Sequence, residues 1–85
     1  RRSSDLARTY GLCIVSTAKL YSSQSDSAID LAYVVYGSCR GERDAMERVL
    51  RHDFSVRFVN RFMTFNKRTM IDLAAETIAR ARLGQ

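Results

Sequence analysis

Proline and tryptophan are absent from this 85-residue chain, glycine occurs four times and histidine once. Without proline, and with so little glycine, few breaks interrupt helical stretches, and a fold built from strands and tight turns loses its usual punctuation. No apolar run approaches the ~20 residues that cross a bilayer as a helix. One histidine and two widely separated cysteines do not make the paired ligand spacing of a zinc site, so no metal is expected. Gly37 and Gly41 fall inside a helical pattern rather than a phosphate-cradling loop, and neither a cofactor nor a small-molecule substrate is indicated. Ser16 and Lys19 reproduce an S-x-x-K string, yet no K-T-G follows and the chain is too short for the penicillin-recognising fold. His52 lies between Arg51 and Asp53, away from any nucleophile in sequence. The expected function is non-catalytic.

The two cysteines are the most informative residues present. Cys13 and Cys39 lie at equal distances from Asp26, within a polar turn from Ser22 to Ser27. One antiparallel register across that turn pairs Leu6 with Met46, Cys13 with Cys39, Thr17 with Val35 and Leu20 with Ala32. It aligns two apolar faces and brings the sulfurs together, which predicts a disulfide-pinned helical hairpin. A chain this small buries only about 60–65% of its unfolded surface, so a cross-link is a useful supplement to its core. A disulfide implies a periplasmic or otherwise extracytoplasmic setting; a reduced pair in a cytoplasmic hairpin is the alternative.

Hydrophobic periodicity predicts an all-α small helical bundle in one domain, 1–85, with helices at about 5–22, 27–51, 54–65 and 67–83. Ser4 is placed to cap the first helix, whose inner face is Leu6, Tyr10, Cys13, Ile14, Thr17, Leu20 and Tyr21. Ser27 with Asp30 resembles a capping box for the second, whose first face is Ala28, Ala32, Val35, Cys39, Met46, Val49 and Leu50. A second face repeats small residues, Gly37, Gly41 and Ala45, a notch that lets another backbone approach closely; a kink near Gly41 is the competing reading. Phe54, Phe58, Phe62 and Phe65 form one stripe ~80° wide on a third, basic aromatic helix. Past Asn66 the apolar direction moves to Met70, Ile71, Ala74, Ala75, Ile78 and Ala81. That change predicts a break at Asn66-Lys67-Arg68, with Thr69 and Asp72 capping an Ala-rich C-terminal helix that Gly84 stops. One long helix with contacts on two sides is the competing picture. The Ala-rich helix is the candidate to fill the glycine notch, in this chain or a partner.

Net charge is +5, and residues 40–68 hold eight of the fourteen basic groups against four of the nine acids. Arg57, Arg61 and Arg68 share a strip beside the phenylalanines. The simplest reading of the aromatic stripe is a core or interface face with arginine stems covering its edge. The leading expectation is a structural or protein–protein interaction module, part of a homo-oligomer or a larger assembly. The alternative is a small basic nucleic-acid-binding protein using Arg57, Arg61 and Arg68 on phosphates, with aromatics stacking bases. A membrane surface met by the basic amphipathic segment from Phe54 to Arg68 is a third possibility.

The arrangement Cys13, Ser25-Asp26, Ala28, Ala32 and Cys39-Arg40-Gly41-Glu42 resembles a group of small exported helical proteins of Gram-negative bacteria. These carry one cysteine in each of two paired helices. The resemblance implies an exported, disulfide-bonded protein and brings no catalytic role; the phenylalanine-rich third segment departs from it.

Overall fold

The computed structural model describes residues 3–84. Among these, the chain forms α1 (Ser3–Tyr21), α2 (Ala28–Ser38), α3 (Arg40–Asp53) and α4 (Val56–Arg82), with no strand. The all-α bundle has the predicted hairpin at its centre. Cys13 of α1 is bonded to Cys39 with Cα atoms 6.0 Å apart, so α2 and α3 run antiparallel to α1. The α4 helix then returns along α1 in the same direction, bringing Arg82 back to Ser22 at the first turn. Its 27 residues span about 40 Å as an α-helix, matching the 41 Å long axis of the molecule.

Local signals account for several helix ends. The Ser27 side chain accepts from the Asp30 backbone N–H at 3.2 Å, the expected cap of α2. Gly84, at φ 83, takes the left-handed conformation that other residues avoid and ends α4. At the other end α1 begins at Ser3, so Ser4 lies inside the helix rather than capping it.

The second predicted helix is two. Cys39, at φ −95 and ψ 22, separates α2 from α3. Ser38 donates to the Val34 carbonyl at 2.9 Å, a back-bond that bends helices, beside Gly37. Arg43 donates from Nη1 to the Tyr36 carbonyl at 2.7 Å, supplying a donor next to the break. The competing kink is therefore what occurs, at Cys39 rather than Gly41.

The third and fourth predicted helices are one. Thr69 makes no new cap: its hydroxyl donates to the Phe65 carbonyl at 3.1 Å within a continuous helix. The inner face of α4 is Val59, Asn66, Ile71, Ala74 and Ile78, with Phe62, Met63 and Met70 half-buried against the core. That face is continuous through Asn66, so no break is needed to turn it inward. The core is completed by Leu6, Tyr10, Ile14 and Ala18 of α1, Leu31, Ala32 and Val35 of α2, Cys39, and Met46 and Leu50 of α3. Leu20, expected to face Ala32, is exposed, and the small Ala18 is buried instead. The buried face of α1 has to serve α2, α3 and α4 together, which rotates it away from Leu20.

The glycine notch is not filled by α4. A Cβ built on Gly37 or Gly41 meets no atom within 4 Å, and Ala45 is only half-buried. The partner of α4 is the opposite side of α2, where Ala32 and Val35 are buried. Gly41→Leu therefore overfills nothing in this chain. Gly41→Ala is expected to stabilise the fold by about 0.5–1 kcal/mol through the unfolded chain, seen as a rise of a few degrees in Tm. A fall in Tm would show that Gly41 packs closely against a second copy of the chain.

Candidate functional site

Ser55 begins the site. It sits in extended conformation before α4 and accepts from the Phe58 backbone N–H at 3.2 Å, satisfying one of the free donors at the helix start. In the helix that follows, Val59 rather than the phenylalanines is turned into the bundle. Phe54, Phe58 and Phe65 are consequently 48%, 47% and 70% exposed. The expectation of a core face fails for these three; Phe62 alone is packed partly against the core. With Val59 already filling the interior, the phenylalanine stripe falls on the outer half of the helix by the 3.6-residue period.

The rings organise one another. The centroids of Phe54 and Phe58 are 5.0 Å apart and tilted, and those of Phe58 and Phe62 are 6.2 Å apart and stacked. Arg57, Arg61 and Arg68 are exposed on the adjoining strip. A shallow groove of about 560 Å³ is lined by Ser55, Arg57, Phe58, Arg61, Phe62 and Phe65. A second hollow of about 500 Å³ shares Arg61 and Phe65 and adds Asn60, Thr64 and Arg68. The basic strip and the aromatic ladder are thus two walls of one surface.

That surface carries one sign of charge. Between Asp53 and Asp72 there is no acidic residue, while Arg57, Arg61, Lys67 and Arg68 are basic. Ion pairs form elsewhere: Arg51 with Glu47 at 2.7 Å, Arg80 with Glu76 at 3.5 Å and Arg40 with Asp44 at 3.6 Å. Among the described residues, no carboxylate lies within 4.0 Å of the side-chain nitrogens of Arg57, Arg61 or Arg68.

The residues that suggested chemistry are scattered. Ser16 donates to the Leu12 carbonyl at 2.7 Å on the exposed side of α1. His52 is exposed, with Nδ1 3.0 Å from Asp53. Among the described residues, no group of three His, Cys, Asp or Glu side chains converges on one point.

Two polar arrangements escaped the sequence reading. The Arg43 guanidinium lies 3.8 Å over the Tyr36 ring, with Lys67 Nζ at 5.8 Å. Nearby, burial pushes the Tyr10 hydroxyl above its usual pKa, partly opposed by Arg43. Tyr10 Oη and Asn66 Oδ1 are buried without a hydrogen-bond partner. Tyr10 was visible as an inner-face residue, but nothing in the periodicity marked Arg43 or Tyr36. At the far end, Arg82 donates to the carbonyls of Ser22, Gln24 and Asp26, clasping the α1–α2 turn. Contacts this distant in sequence leave no local signal.

No family model matches this chain, and neither a curated protein nor a solved structure matches it.

Proposed function

We propose that this chain is a non-catalytic docking module of an oxidising, extracytoplasmic compartment such as a periplasm, binding an anionic partner through the α4 face from Phe54 to Arg68. The observation that carries this reading is the ladder itself. Large aromatics stay about half exposed or more beside arginines that have no carboxylate partner among the described residues, although the same chain closes a core elsewhere. Contiguous apolar surface rimmed by charge marks interaction sites on soluble folds. The Cys13–Cys39 bond supports the compartment, since such bonds are rare where cellular thiols are kept reduced. Membership of a larger assembly fits this face. Self-association through it fits less well, because it would set Arg57, Arg61 and Arg68 against their own copies.

A photo-reactive benzophenone amino acid in place of Phe65, expressed in the native host, tests the reading. Covalent adducts are expected from position 65 and not from a control at Ser23, on the exposed first turn. Equal or absent labelling at the two positions would reject a docking role for α4.

A further inference from the structure

We propose that the anionic partner is a phospholipid surface, with α4 lying along it. In this arrangement Phe54, Phe58 and Phe65 enter the boundary between headgroups and acyl chains, and Arg57, Arg61 and Arg68 hold lipid phosphates. The inference rests on the docking reading above and adds the chemistry of what is docked.

Charge comes first. The uninterrupted basic stretch between Asp53 and Asp72 complements an anionic surface, and Asp72, one turn past Arg68, marks where the face ends. Lys67 takes no part, because its ammonium is turned toward the Tyr36 ring. The three arginines remain, all on the strip beside the ladder.

Hydrogen-bonding capacity separates lipid from protein. The neutral polar groups around the ladder each make one hydrogen bond within the chain. Ser55 accepts from the Phe58 N–H, Thr64 donates to the Asn60 carbonyl, Thr69 donates to the Phe65 carbonyl, and Asn60 Oδ1 accepts from Arg51. Beyond the spare hydroxyl and amide capacity of these few groups, the face offers chiefly guanidinium donors and apolar rings. A protein interface uses about one hydrogen bond per 100–200 Å² and draws on donors and acceptors from both sides. The phosphate of a lipid headgroup presents acceptors only, which guanidinium groups bind well, and it lies above hydrocarbon. The match is to lipid.

Ring geometry separates lipid from nucleic acid. Phe58 and Phe62 stack on each other and Phe54 leans on Phe58, so Phe65 is the one ring of the ladder outside these pairs. Base stacking needs free ring faces, whereas hydrocarbon makes equal use of edges. From Val56 to Arg68 the strip and the rest of the ladder occupy one outer side of a single helix, about 18 Å along its axis, and Phe54 lies in the extended pair of residues just before it. That is the form of an amphipathic helix resting in the plane of the interface.

The test is co-sedimentation of the oxidised full chain with vesicles. Binding is expected to vesicles containing phosphatidylglycerol and not to phosphatidylcholine alone. It should weaken about fivefold for each of Arg57→Gln, Arg61→Gln and Arg68→Gln, and about a hundredfold or more for the Phe58→Ser, Phe65→Ser pair. All these positions are exposed, and an unchanged melting curve would certify that each variant folds. Failure to bind phosphatidylglycerol vesicles overturns the proposal; if position 65 still cross-links to a protein, the docking reading survives without lipid. Binding indifferent to the phenylalanine pair would be charge adsorption and also overturns it. Equally tight, phenylalanine-dependent binding of a single-stranded oligonucleotide would assign the face to nucleic acid instead.

Discussion

Opening the Cys13–Cys39 bond, by reduction or by the paired changes Cys13→Ser and Cys39→Ser, is expected to remove about 3.5 kcal/mol of stability. The figure follows from the sequence separation of 26, because a cross-link closing that loop removes conformations from the unfolded chain. A domain of this size has on the order of 5–10 kcal/mol of stability in all. The position of the bond adds to the effect. Cys39 is the junction between α2 and α3, so the cystine ties the break itself to the middle of α1. Thermal melts followed by circular dichroism, with and without reductant, should differ by roughly 15–25 °C. A difference of only a degree or two would mean that the helix faces alone hold the hairpin.

Ile14→Ala should cost about 2–5 kcal/mol, whereas Leu12→Ala, two residues away, should change stability by about 0.5 kcal/mol or less. Ile14 is fully buried and Leu12 is 62% exposed. The truncation leaves a cavity where α1 meets three helices, and each neighbour is constrained from collapsing into it by the others. Denaturant titrations of the two variants give the contrast directly. Similar losses at both positions would mean that α1 is rotated about its axis relative to the rest of the bundle, or that Leu12 is covered by another molecule.

The candidate site was half legible. The phenylalanine stripe and the arginine strip beside it can be read from residue spacing, and all but Phe54, which is extended at the end of α3, lie on α4 at the expected relation to each other. Their direction cannot be read so. A stripe narrower than a quarter-turn looks like a core face until a competing stripe is placed, and Val59, Ile71, Ala74 and Ile78 are that competitor. The supposed break at Asn66 came from treating both stripes as inward. Once one faces solvent, a single straight helix satisfies the pattern.

The helical class, the Cys13–Cys39 pairing of the hairpin, the Ser27 cap and the Gly84 stop belong to the sequence alone. Each depends on short-range periodicity, or on a symmetry about one turn, that any compact form of the chain must respect. The tertiary structure decided the break at Cys39, the Arg43–Tyr36 contact, the clasp of Arg82 on the first turn, and the outward aspect of the phenylalanines. Those follow from which faces meet when four helices compete for one small core. A periodic pattern specifies that a face exists, while only the neighbours determine whether it is buried.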